Sequence, residues 1–192
     1  ENKVDFRDAV FLWKAPFDKA PSALMKTKQR FAGIIWGNEN VAIVNDRWYD
    51  TRNSKTYLIN PSINNENPTI ISDRNYQDIY SDPGQFETIK NQYAKRVLAI
   101  ENNNLFLIGE GFTKDGQFPF IDEFNLNTIK TKRLYTSTYT DKKERLLSIE
   151  DFNKGIVLVQ IQSKNDYPNY YFRNIYKKGK LSPITNFPNP FE

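Results

Sequence analysis

Phe31 to Pro61, FAGIIWGNENVAIVNDRWYDTRNSKTYLINP, holds three short apolar runs set apart by turn-forming residues. Gly33–Trp36 stops at Gly37-Asn38-Glu39-Asn40, Val41–Val44 is apolar throughout, and Thr56–Ile59 ends at Asn60-Pro61. Runs of this length bounded by Gly, Asn and Pro read as strands of a sheet covered on both faces. Thr69-Ile70-Ile71 supplies a fourth strand.

The pattern returns twice. Val41–Val44 corresponds to Leu105–Ile108 and then to Ile156–Val159, at spacings of about 64 and then about 51 residues. Leu58-Ile59-Asn60 corresponds to Phe120–Asn125 and then Phe172–Tyr176, and Thr69-Ile70-Ile71 to Leu134-Tyr135-Thr136 and then Ile184-Thr185-Asn186. Gly33–Trp36, Val97–Ile100 and Leu146–Ile149 open the three repeats. In Ile156–Gln162, Val157, Val159 and Ile161 alternate with Leu158, Gln160 and Gln162, which marks sheet and leaves the second half one wet face.

Ala9–Phe17 and Ala23–Thr27 match only the third and fourth strands of the repeat. The expected fold is all-β, a partial β-propeller of about three four-stranded antiparallel blades plus an outer half-blade. Residues 1–30 form the half-blade; 31–72, 96–140 and 144–190 form the blades; 73–95 is an inserted polar loop containing Asp82-Pro83-Gly84. Phe86, Ile89 and Tyr93 also have the spacing of a short amphipathic helix. Three and a half blades cannot close a ring of about four to eight. Exposed blade edges then invite self-association with a second copy.

With 39% hydrophobic and 15% aromatic residues in 192, the chain can bury one sizeable core. No apolar run approaches the ~18 residues of a membrane helix, so no membrane partner is expected. The net charge is +4, but both signs are interspersed, which reads as a solvated mixed surface and not a nucleic-acid face. The absence of cysteine and histidine excludes disulfides, thiolate chemistry, a Ser-His-Asp triad and the usual His-containing zinc sites within these residues. No cofactor and no metal are expected. The opening Glu1-Asn2-Lys3, with no initiating Met, suggests a piece of something larger.

RDAVFLWKAPF at Arg7–Phe17, GIIWG, DRW and YLINP within Phe31–Pro61, LIGEGFTKDGQFPFIDEFNLNT at Leu107–Thr128 and ITNFPNP at Ile184–Pro190 together resemble the β-propeller of the prolyl oligopeptidase family. Within it, the glutamyl endopeptidase-like subgroup of bacteria and plastids is most similar, and the likeness runs from end to end. The resemblance implies a serine peptidase parent whose C-terminal α/β-hydrolase domain carries a G-x-S-x-G nucleophile elbow followed by Asp and His. None of those motifs occurs here, so the implied role is non-catalytic. The propeller gates peptide access to the hydrolase domain, its partner in the parent chain, with peptide substrates passing by. Periplasmic or extracellular placement is likewise implied only by the resemblance. The alternative is a stand-alone propeller module that binds carbohydrate or protein partners.

The candidate substrate-binding residues are Arg47 and Arg52, beside Trp48 and Tyr49. A guanidinium fork near aromatic rings suits a carboxylate, here a substrate's acidic side chain, as the resemblance implies. The competing reading is an Arg that ties adjacent blades through Asp46 or Asp50. Glu110, between Gly109 and Gly111, either binds an amine or metal ion or sits on a glycine turn and bonds across blades. Asp122-Glu123 and Glu150-Asp151 are adjacent pairs whose side chains point to opposite faces, which excludes convergent glycosidase acids. Asp115-Gly116 marks a hairpin turn. Tyr167, Tyr170, Tyr171, Phe172, Trp13, Trp36 and Trp48 read mainly as packing between splayed sheets.

Overall fold

A computed structural model describes residues 4–177 and 179–190. The opening Glu1-Asn2-Lys3 of the expected half-blade, and Lys178 within the last expected blade, lie outside the described residues. The described residues are all-β, without a helix, in several small antiparallel sheets.

β1 (Asp8–Leu12) and β2 (Ser22–Thr27) pair as an antiparallel hairpin. β3 (Arg30–Trp36), β4 (Ala42–Trp48), β5 (Asn53–Ile59) and β6 (Thr69–Asn75) then form a four-stranded sheet in chain order. β7 (Gln85–Phe86) comes next, followed by the hairpin of β8 (Thr88–Lys90) and β9 (Arg96–Leu98). β10 (Asn104–Gly109) precedes a second small hairpin, β11 (Phe112–Thr113) with β12 (Gly116–Gln117), and then β13 (Phe120–Asn125) and β14 (Lys130–Thr136). The second four-stranded sheet has the order β7-β10-β13-β14. β15 (Lys142–Asp151), β16 (Ile156–Ser163), β17 (Asn169–Asn174) and β18 (Lys180–Pro183) make the third, again in chain order.

The segments matched at Val41, Leu105 and Ile156 are thus the second strand of each sheet, and those matched at Leu58, Phe120 and Phe172 lie on the third. Two expected strands moved. Val97–Ile100 does not open the second sheet: Arg96–Leu98 pairs with β8 instead, and the opening strand is β7, inside the stretch read as a polar loop. Gly84 explains how so polar a segment joins a sheet. Its φ is 90°, and a Cβ there would lie 2.5 Å from Ile108 O, so only glycine lets the chain come this close to β10. No helix forms at Phe86–Tyr93. In the third sheet the last strand is β18, just ahead of the expected Ile184–Asn186.

The chain divides into two compact units, Glu1–Asp78 with Thr88–Leu98, and Ile79–Glu87 with Ala99–Glu192. In the first, Ala42, Val44, Tyr57 and Ile59 of the sheet pack with Leu24 and Met25 of β2, and Val10 of β1 joins them. In the second, Phe106 and Ile121 pack against Leu146, Ile149, Val157, Val159 and Ile161 of the third sheet. The alternation of buried Val157, Val159 and Ile161 with half-buried Leu158 and Gln160 follows the pleat.

Ile121 is fully buried in that second cluster. Ile121→Ala should lower unfolding stability by about 2–5 kcal/mol in a urea melt. A loss below about 1 kcal/mol would contradict the packing described.

Candidate functional site

Asp46 and Arg47 are consecutive residues of β4, and the pleat sends them to opposite faces of the first sheet. Asp46 is fully buried; its Oδ2 accepts hydrogen bonds from the Tyr57 hydroxyl at 2.8 Å and the Gln29 backbone N–H at 3.0 Å. Burial first, and then the bond to the Asp46 carboxylate, push the Tyr57 phenol well above its ordinary value. On the same face Lys55 pairs with Asp73 across β5 and β6. Asp46 is therefore engaged with Tyr57 and Gln29, not with Arg47.

Arg47 lies exposed on the other face. The register sets Arg30 opposite Arg47, Arg47 opposite Ser54, and Ser54 opposite Arg74, so three arginines share one cross-strand row. Arg30 Nη1 donates to Asp8 Oδ1 at 2.8 Å, and the Phe31 N–H donates to Asp8 Oδ2 at 2.8 Å. Arg74 Nη1 donates to the carbonyls of Asn75 at 2.8 Å and Asp78 at 2.9 Å. Arg52, the other residue expected from sequence, has φ 57° in the β4–β5 turn. Its Nη1 donates to Tyr49 O at 2.6 Å, and its guanidinium lies 3.7 Å from the Tyr49 ring centroid. Arg7 stacks similarly on Trp48, at 3.8 Å. The structure thus brings Arg47 together with Arg30 and Arg74, which sequence reading had not singled out, while Arg52 packs on its own turn. The arrangement can hold carboxylates by charge-assisted, forked hydrogen bonds.

The remaining candidates are occupied locally. Glu110 is exposed and accepts from Gln117 Nε2, within the connection between β10 and β13 and not across to another sheet. Gly111 has φ 64°, and a Cβ there would lie 1.8 Å from Phe118 O, which is the structural demand the glycine answers. Asp122 pairs with Arg133, while Glu123 accepts from Asn104 Nδ2 at 3.2 Å. Glu150 accepts from the Ser148 hydroxyl, and Asp151 accepts from the Lys154 N–H at 2.9 Å. Thr113 and Gly116 close the small hairpin around Lys114-Asp115. Among the aromatics, Tyr171 packs on the second core, whereas Trp13, Tyr167 and Phe172 are exposed.

In the second unit a cleft of about 500 Å³ is lined by Gln117, Phe118, Tyr139, Lys143, Gln162 and Ser163, among others. The Ser163 hydroxyl donates to Asp166 Oδ2 at 2.9 Å and accepts the Asp166 N–H at 2.9 Å. This is a serine turn in which Asp166 also pairs with Lys142, and that hydrogen bond first, then the one from Ser163, holds the Asp166 carboxyl below its ordinary value and makes it a weak base. Beside it lies a buried ion pair. Arg173 Nε donates to Glu144 Oε1 at 2.6 Å, and Tyr135 donates to Glu144 Oε2 at 2.7 Å. Arg173 also donates from Nη1 to Gly179 O at 2.7 Å and from Nη2 to the Tyr139 hydroxyl at 3.2 Å. Burial, then Glu144, push the Tyr135 phenol well up.

No family model matches the chain, and no solved structure matches it. Two curated plant proteins do. A protein of Arabidopsis thaliana named "Probable glutamyl endopeptidase, chloroplastic" is 31% identical over 98% of this chain and 21% of its own length. One of the same name from Oryza sativa subsp. japonica is 32% identical over 98% of this chain and 22% of its own. The chain spans about a fifth of the length of these relatives.

Two outcomes test the site's energetics. Arg173→Met leaves the Glu144 carboxylate buried without its cation and should cost about 3–5 kcal/mol in chemical denaturation; a cost under about 1 kcal/mol would contradict the pairing. The Phe31 N–H, and then Arg30, hold the Asp8 carboxyl below the usual range. The unfolded chain therefore takes up this proton first on acidification, and Asp8 contributes stability above about pH 4 that is lost as pH falls through its lowered folded value. Asp8→Asn should be less stable than the parent at neutral pH, with the gap closing in acid. A gap that widened in acid would contradict the assignment.

Proposed function

We propose that the chain is a non-catalytic β-propeller segment of a serine peptidase of the prolyl oligopeptidase kind, which limits which peptides reach a hydrolase domain elsewhere in the parent. The observation that carries this reading is the similarity, over 98% of the chain, to about a fifth of two proteins named as probable glutamyl endopeptidases. The three four-stranded antiparallel sheets, each with its strands side by side in chain order, support blades as their description. The non-catalytic part of the reading rests on the sequence, which has neither histidine nor a G-x-S-x-G elbow, and on Ser163, whose hydroxyl is held in its own turn by an Asp166 already paired with Lys142.

In this reading the segment acts by selection. Arg47, exposed and without a side-chain hydrogen bond or ion pair among the described residues, contacts acidic side chains of passing peptides. Arg52, flat on Tyr49, contributes a fixed cationic and aromatic wall beside it. A periplasmic or extracellular address for the parent belongs to the same proposal.

The test is cleavage of a fluorogenic peptide with Glu before the scissile bond, by the 192-residue chain and by its full-length parent. Turnover by the parent and none by the segment is expected, with Arg47→Met in the parent raising KM for the acidic peptide about tenfold. Turnover by the segment itself, or a parent with no peptidase activity, would overturn the reading.

A further inference from the structure

The pleat of the first sheet sorts its charges. Asp46, Lys55 and Asp73 form one row, on the face where Tyr57 and the core lie, while Arg30, Arg47 and Arg74 form the neighbouring row on the opposite face. Like charges directly opposite on adjacent strands are destabilising. Here Arg30 and Arg47 are so placed, and among the described residues the one carboxylate paired with either is Asp8, which Arg30 engages through Nη1. A fold that sets two arginines opposite each other on adjacent strands, with one counter-charge between them among the described residues, favours a further anion.

We propose that the Arg30–Arg47 pair, extended along its row by Arg74, is a binding surface for an acidic polypeptide segment. This deepens the role given to Arg47 above, replacing contact with a single acidic side chain by recognition of several. Neighbouring strands lie about 4.8 Å apart, so Arg47 and Arg74, with β5 between them, are rooted about 10 Å apart. Side chains at alternate positions of an extended peptide stand about 7 Å apart, within the reach of two arginine side chains. An extended segment with acids at every second position therefore sets one carboxylate between Arg30 and Arg47 and another towards Arg74. Two of these cations are already oriented, Arg30 by Asp8 and Arg74 by the carbonyls of Asn75 and Asp78, which lowers the ordering cost of binding.

A polypeptide fits better than a nucleic acid. The row of Arg30, Arg47, Ser54 and Arg74 holds no aromatic ring on which a base would stack: the pleat sends Trp48 to the opposite face, and Tyr49 in the adjoining turn carries the Arg52 guanidinium.

The experiment is fluorescence anisotropy of the 192-residue chain with a labelled peptide of alternating Glu and Gly, at low and near-physiological salt. A peptide of Ser and Gly and a labelled oligo-dT serve as comparisons. The variants are Arg47→Met, Arg47→Lys and, as a remote control, Arg145→Met on β15. The acidic peptide should bind in a salt-sensitive way. Arg47→Met should weaken it about tenfold, Arg47→Lys less, and Arg145→Met should leave it unchanged. Circular dichroism checks that each variant is folded; if Arg47→Met is not, Arg47→Lys against Arg145→Met decides.

No binding, equal binding of the Ser-Gly peptide, or an equal loss in Arg145→Met would overturn the proposal. Tighter, Arg47-dependent binding of oligo-dT would replace it with a nucleic-acid surface. Because the readout is binding to the segment, failure of the peptidase reading would leave this result standing, and the reverse also holds.

Discussion

A strand with no wet face has to be covered on both sides, and the second strands of the first two four-stranded sheets, β4 and β10, impose that requirement. Ala42, Ile43 and Val44 are fully buried, and Leu105, Phe106 and Leu107 nearly so. A sheet built around such a strand is not stable alone in water, because each exposed apolar side chain forfeits about 1.5–3 kcal/mol. Each compact unit meets the requirement in its own way. In the first, the β1–β2 hairpin covers one face of the sheet through Leu24 and Met25; in the second, two four-stranded sheets share one core.

The charged residues follow from the same pleat. Where a polar side chain points inward, the fold supplies partners: Oδ2 of Asp46 receives Tyr57 and Gln29, while its buried Oδ1 has none among the described residues, and both oxygens of Glu144 are engaged, by Arg173 and Tyr135. Leaving such a carboxylate bare costs several kcal/mol, so these partners are structural. Where the same strands point outward, no such compensation is required, and Arg47 remains open to solvent next to Arg30. That difference in burial separates the residues that hold the protein together from those available to a ligand.

Much of this was legible in the sequence. The fully apolar runs at Val41, Leu105 and Ile156 marked the second strands, since few other arrangements hide such runs. Edge strands were harder to see. β7 is two residues long and follows Pro83-Gly84, and β18 offers only Leu181 as a large apolar residue, so neither carries a periodic signal. β9 looked like part of a sheet because Val97 and Leu98 are apolar, yet its partner β8 lay in a stretch read as polar loop.

At the candidate site, Arg47 and Arg52 stood out through their aromatic neighbours. The row Arg30–Arg47–Arg74 did not, because register brings those residues together from separate strands. A bulge between Phe31 and Gly33 and another between Thr56 and Tyr57 shift that register in ways spacing alone does not reveal.

Amide hydrogen exchange on the 192-residue chain tests the central claim, that three equivalent sheets are each organised around a buried second strand. Protection should peak three times along the chain, at β4, β10 and β16, and fall at the edge strands β6, β14 and β18. Exchange at β4, β10 or β16 as fast as at those edges would contradict the account.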